Sequence, residues 1–198
     1  MNNAVRYPED EIPALAAGDY MTRPEFERRY HAHPEHKKAE LIEGIVYLPS
    51  PVRADKHGDP HFDMIGWLGF YRMTTPGIRG SDNATIRFDF INEPQPDVLL
   101  RLDPALGGNS WIDGDGYLQG APELVVEVAT SSTSYDLHQK KATYARHGVQ
   151  EYLVLQANEI ARIFKGCANL LQNGNRHHGC IGAGVDKSRQ WCANTTAL

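Results

Sequence analysis

The feature that most constrains this chain is a short run near its middle, Glu123-Leu124-Val125-Val126-Glu127-Val128-Ala129. Apolar and β-branched residues fill it, which is the signature of a strand inside a sheet. One ionisable side chain, Glu127, interrupts the run between Val126 and Val128. Period-two alternation puts Glu123, Val125, Glu127 and Ala129 on one face. A second strand, Pro96 to Leu102, opens on Asp97 and carries Leu99 and Arg101 on the same face as that acid. Two readings stay open here. If the sheet is half-solvated, both acids are ordinary surface groups. If it is buried, their charge must be neutralised by a cation, a metal or a proton. Two carboxylates on adjacent buried strands would form an oxygen-rich pocket suited to magnesium or manganese.

Around these strands the pattern alternates between helix and strand. Thr22-x-x-Glu25 fits a capping box with Pro24 in the first turn, so a short helix starts there. His31, His33 and His36 fall in a Pro-broken segment read as loop. Two apolar runs flank Glu43-Gly44 and predict a tight hairpin. Asp59-Pro60 opens a helix with Phe62, Ile65, Trp67, Leu68 and Tyr71 as its apolar positions, ended by Pro76-Gly77. Ala84 to Phe90 reads as a strand. Asp113-Gly114-Asp115-Gly116 reads as a tight turn and not a calcium loop, because no later Glu completes the ligand set. Asp136 caps a helix running to about His147, Gly148 stops it, and Glu151 to Leu155 is a further strand.

This order predicts one α/β domain, a mixed sheet flanked by helices. Residues 1–20 read as an extended arm, 21–156 as the domain, and 157–198 as a segment of weak periodicity. A chain of 198 residues suffices for one good core.

Charge and motifs narrow the chemistry. The net charge of −5 gives no global basic field and argues against tight non-specific DNA binding, while leaving room for a local patch or a metal. No apolar run resembles a signal peptide or is long enough to span a bilayer, so a cytoplasmic protein is expected. Cys167, Cys180 and Cys192 form no C-x-x-C pair and are read, beside His177 and His178, as free thiols and not a zinc site. Phosphate-loop, dinucleotide, zincin and serine-hydrolase motifs are absent from the sequence. His57 and His61 read as surface or capping histidines, with His61 the nearer to a site. Lys140 and Lys141 read, by themselves, as a solvated helix face.

Taken in order, Thr22-x-x-Glu25-Phe26, Glu40-Leu41-Ile42-Glu43-Gly44, Pro96-Asp97, Pro122 to Val128, Asp136-x-x-x-Lys140-x-x-x-Tyr144 and Gly148-Val149-x-Glu151-Tyr152 form a set. That set resembles the Uma-type family of restriction-endonuclease-like proteins, within the PD-(D/E)XK nuclease superfamily. The resemblance covers roughly residues 20 to 155. It implies a restriction-endonuclease-like core, a central mixed β-sheet flanked by helices, and a Mg²⁺- or Mn²⁺-dependent endonuclease acting on DNA. On the same basis Asp97 is the acid of the P-D motif and Glu127 the acid of the (D/E)XK motif. The carbonyl of Val128 completes the metal ligands, and Glu40 is a further ligand or water-positioning group. Ala129 stands where the motif lysine would be, and the resemblance assigns that role to Lys140 on the following helix. Cutting both strands of a duplex would suit a homodimer. The alternatives are a decayed nucleic-acid- or partner-binding module on the same fold, and a metal hydrolase of small phosphate esters.

Overall fold

The computed structural model describes residues 12–49, 51, 53–129 and 136–156, with Asp136, Leu137 and Gln156 described in backbone only. The first part of the N-terminal arm, the Thr130 to Ser134 loop and the cysteine-bearing segment lie outside the described residues. Helix α1 (Arg23–Ala32) precedes a hairpin of β1 (Glu40–Ile42) and β2 (Ile45–Tyr47). Helix α2 (Asp59–Thr74), entered through a π-helical turn at Ala54–Gly58, leads into β3 (Ile78–Asp82), β4 (Ile86–Arg87) and β5 (Val98–Leu102). Short strands β6 (Ser110–Ile112) and β7 (Leu118–Gly120) come before β8 (Leu124–Ala129). A π-helical turn (Asp136–Lys140) continues into α3 (Lys141–Arg146), and β9 (Glu151–Gln156) follows.

The main sheet has the order β3-β5-β8-β9. Its first two pairings are antiparallel and the β8–β9 pairing is parallel, so the sheet is mixed. All six residues of β8 are buried. That explains the continuous apolar run, since a strand covered on both faces has no solvent side to mark. On one face Met64 and Leu68 of α2 pack against Val98, Leu100, Leu124, Val126 and Val128. On the other, Leu99, Val125 and Tyr144 pack with Ile86 and Leu118. A third cluster joins Leu15, Met21 and Phe26 to Leu41 and Val46, so the chain before α1 packs on the hairpin from Leu15 onward. Among the described residues no helix is long and apolar enough to cross a membrane.

The expected hairpin is present, and its turn residues both sit in left-handed backbone, Glu43 at φ 53° and Gly44 at φ 77°. Such a turn matches the twist of its strands. A Cβ on Gly44 would also lie 2.7 Å from the Tyr20 ring. Gly148 ends α3 at φ 90°, as expected.

Several local expectations are corrected. Helix α1 starts after Thr22, but Thr22 makes no side-chain cap. Glu25 turns instead to Arg28 and Arg29, at 2.8 and 2.7 Å, where charge-assisted bonds outcompete a backbone N–H. His31 lies within α1, not in a loop. Phe62 is 75% exposed, because Pro60, Met64 and Leu68 set the buried face of α2 at four-residue spacing. The strand expected over Ala84 to Phe90 is only Ile86–Arg87 long. Phe88 and Asp89 donate their N–H groups to the Asn92 carbonyl and turn the chain there. Strand β3 was not expected from Ile-Arg-Gly-Ser-Asp; it is an edge strand defined by its pairing with β5 rather than by apolar alternation. The Asp113–Gly116 stretch is a turn between β6 and β7, and its acids serve an arginine. Asp113 accepts from the Asp115 and Tyr117 N–H groups, while Asp113 and Asp115 each lie 2.9 Å from Arg87 Nη1.

Arg87 also reaches Glu27 at 2.7 Å, which ties α1 to this smaller sheet. Glu93 is buried beside the pair, and its Oε2 has no N–H or O–H donor. Burial, and then the hydrogen bond with Glu27, push Glu93 up to about 8. That rise favours a proton held between the two carboxyls. From the ordinary 4.5 up to about 8, the folded state holds a proton that the unfolded chain has lost. Stability should therefore be fully present below that range and fall as pH rises through it, by up to about 1.4 kcal/mol per pH unit. Glu93→Gln keeps a hydrogen-bond donor towards Glu27 and cannot titrate. Urea unfolding at about pH 5.5 and about pH 7.5 should show a larger loss for the wild type than for the variant. Parallel losses would place the proton elsewhere.

Candidate active site

The register of β5 against β8 sets Val98 opposite Val126, which brings Asp97 level with Glu127 on the face that α3 covers. The question left open by the sequence is decided by burial: Asp97 and Glu127 are each 4% exposed. Helix α3 and its leading turn cross over them. Lys140 lies inward and buried while Lys141 is exposed, as side chains about 100° apart on a helix require.

Lys140 Nζ lies 2.9 Å from Glu127 Oε1 and 2.8 Å from Glu40 Oε2. Tyr144, one turn further on, donates its hydroxyl to the same Glu127 oxygen at 3.2 Å. The four-residue spacing of Lys140 and Tyr144 thus delivers two donors to one carboxylate. Glu40 arrives on β1, which bridges to Glu93 through Leu41. Its second oxygen accepts from the Gln95 N–H at 2.8 Å. The hairpin tip is fixed to α3 as well, since Glu43 accepts from Thr143 at 3.0 Å and pairs with Arg146.

Asp97 has a different environment. Its Oδ2 accepts from the Val128 N–H at 2.8 Å and lies 3.3 Å from His57 Nε2, while Oδ1 lies 3.2 Å from Lys38 Nζ. His61 Nε2 meets the Asp97 main-chain carbonyl at 2.9 Å. The reading of His57 and His61 as surface groups is therefore corrected. Their spacing at one helical turn was the available signal, and their rings lie 5.5 Å apart. Lys38 gave no signal, because its role depends on where the segment before β1 runs. The five residues singled out from sequence and resemblance, Glu40, Asp97, Glu127, Val128 and Lys140, come together at this end of the sheet, Val128 through its backbone and the rest through side chains.

These surroundings push the two central acids in opposite directions. Burial raises Glu127 to about 8; Lys140 pulls it down, and the charges of Glu40 and Asp97 add to the rise. Asp97 meets burial too, but the hydrogen bond from His57, the charge of Lys38 and the Val128 N–H hold it well below the usual carboxylate range. Among the described residues no group of three His, Cys, Asp or Glu side chains could hold a metal ion. Two carboxylates and a backbone carbonyl remain a hard oxygen donor set of the kind magnesium uses, since that ion keeps much of its water.

The fold and site define a class: a mixed α/β domain whose central strands and a crossing helix bury a carboxylate–lysine centre at one sheet end. Residues 23–172 match the Uma2 family, described as "Putative restriction endonuclease", and the chain belongs to that family. Among solved structures it is similar to a protein of Anabaena variabilis described as a "putative nuclease belonging to DUF820", with 17% identity and a TM-score of 0.42. That match covers 58% of this chain and 64% of the other, so the chain spans under two thirds of that protein's length. No curated protein sequence matches the chain.

The geometry makes Lys140 a structural residue too. Removing its ammonium leaves Glu127 and Glu40 buried together without their shared cation, a type of loss that costs about 3–5 kcal/mol. Lys140→Ala should therefore unfold at clearly lower denaturant than the wild type, whereas Lys141→Ala should match it. Equal stability of the two variants would mean that Lys140 is not held in the buried position.

Proposed function

We propose that this protein is a metal-dependent endonuclease that hydrolyses phosphodiester bonds in DNA, with Asp97, Glu127 and the Val128 carbonyl holding Mg²⁺ or Mn²⁺. Family membership supports the nuclease class. The observation that carries the residue assignment is the buried trio of Glu127, Glu40 and Lys140 beside an ionised Asp97. A carboxylate pushed up by burial and two neighbouring acids gains most from a divalent cation, which relieves all three influences. When bound, such a cation polarises the scissile phosphate and lowers the pKa of attacking water.

The chain's own residues then have defined tasks. Asp97 stays charged because Lys38, His57 and the Val128 N–H favour the ionised form. Glu127 is aimed by the Tyr144 hydroxyl and the Lys140 ammonium. Lys140, freed to share its charge with the phosphate, stabilises the negative charge that builds up as the bond breaks. Glu40, fixed by the Gln95 N–H, positions the attacking water. The working unit is residues 21–156 together with the stretch from Leu15 that packs on the hairpin, and the family match extends into the segment 157–198. Two centres suit the cutting of both strands of a duplex, so a homodimer goes with this reading.

Nicking of supercoiled plasmid should require Mg²⁺ or Mn²⁺ and stop with EDTA. Glu127→Gln should abolish it, and Lys140→Ala should cut turnover per folded molecule at least about tenfold, equivalent to about 1.4 kcal/mol of transition-state stabilisation. Turnover of bis(p-nitrophenyl) phosphate without nicking would favour the small-ester hydrolase. Inactivity on both, with DNA still bound, would favour the decayed module. Magnesium should also raise the melting temperature of the wild type and not of Glu127→Gln; an unchanged shift in the variant would remove Glu127 from the metal site.

A further inference from the structure

Basic residues border the Asp97 end of the sheet beyond those that hold Asp97 ionised. Lys38 and His57 reach Asp97 from two segments distant in sequence, the approach to β1 and the π-helical turn before α2. Both segments are basic. His36-Lys37-Lys38 and Arg53-Ala54-Asp55-Lys56-His57 hold four Lys or Arg against one acid, Asp55, in a chain whose net charge is −5. Lys37, Arg53 and Lys56 are exposed. None of the three forms an ion pair with a carboxylate of the described residues; the Lys37 amine meets only the Pro34 carbonyl, at 3.4 Å.

The arrangement has a direction. His61 and His57 stand one turn apart with both imidazoles at Asp97. Arg53 precedes His57 by four residues and accepts the His57 N–H at its carbonyl, which places it where the chain enters this turn. Lys38 and His57 retain side-chain exposures of 25% and 20%, so the inner end is open to a ligand. A local concentration of unpaired cations leading to two acids is what a polyanion needs to approach a negatively charged centre.

We propose that Lys37, Arg53 and Lys56, with Lys38 and His57 at the inner end, form a track for the phosphodiester backbone of DNA leading to the Asp97–Glu127 centre. The inference rests on the nuclease reading and adds to it the face by which substrate enters. Phosphate contacts made by such a track position the strand and carry no sequence information. They release counterions, so affinity falls with salt by about 0.9 logarithmic units per contact for duplex DNA.

The test is anisotropy of a labelled mixed-sequence DNA duplex with the full chain in EDTA, over about 50–200 mM salt, where no cleavage can interfere. Lys37→Ala/Arg53→Ala/Lys56→Ala should weaken binding at least tenfold and flatten the salt slope by about 0.9 per lost contact. The control Arg72→Ala/Arg79→Ala/Arg101→Ala removes the same charge at the far end of α2 and at the paired Arg79 and Arg101 of β3 and β5. Arg101 is four residues from Asp97, about 13 Å along the strand, and the control should retain both affinity and slope. An unchanged slope in the first variant, an equal loss in the control, or no binding by the wild type would overturn the track. Tighter binding of an RNA duplex of the same sequence would overturn its assignment to DNA. Plasmid nicking with an unchanged slope would sink the track and leave the nuclease reading standing. Binding through the track without any nicking would do the reverse.

Discussion

An ionised or ionisable side chain in the middle of a buried strand has to be neutralised from within the fold, and Glu127 is that side chain here. The Lys140 ammonium meets Glu127 and Glu40 together. Strand β1, which is distant in sequence, is thereby fixed to β8 and to the turn leading into α3. The other contacts at this end follow from that constraint. Tyr144 can reach Glu127 only because Lys140 sets the phase of the helix. The hairpin tip can bind Thr143 and Arg146 only because the helix lies across the hairpin. Packing of Tyr144 against Leu99 and Val125 then closes the face.

The same constraint gives the site its chemical asymmetry. Glu127 and Asp97 are neighbours on adjacent strands and equally buried, yet one is pushed up and the other held down. The difference lies in their partners. Asp97 has a backbone donor, a histidine and a lysine that meets no other carboxylate, whereas Glu127 shares one lysine with a second carboxylate. Environments that separate the ionisation of two adjacent acids are a usual basis for dividing roles between them.

A second buried ionic group, Glu27 with Glu93 and Arg87, solves the same problem in another way. There burial pushes the surplus carboxylate up, and the arginine lies against Glu27, Asp113 and Asp115. That group joins α1 to the small sheet and turns its polar atoms inward. The Asp97–Glu127 group instead sits where basic segments and an open rim adjoin it. The contrast separates a buried network that holds the fold together from one placed to meet a ligand.

Elements whose signals are local were legible in the chain. Glu43-Gly44 specified the hairpin because that turn needs left-handed backbone, and Gly148 specified the end of α3 for the same reason. The apolar run of β8 specified a central strand, and the ordered motifs carried the family. Strand β3 and the brevity of β4 were not legible, because an edge strand is defined by its partner and β4 by the Asn92 turn. Phe62 misled because apolar character does not fix helix phase when a helix is apolar on more than one side. The assembled fold set the burial of Glu127 and Asp97, since alternation reads identically for a solvated and a covered face. It alone brought His57, His61 and Lys38 to Asp97, because those contacts cross 36 to 59 residues of sequence. Local pattern encodes backbone conformation; neutralising a buried charge depends on which distant segments the fold makes neighbours, and no local pattern contains that.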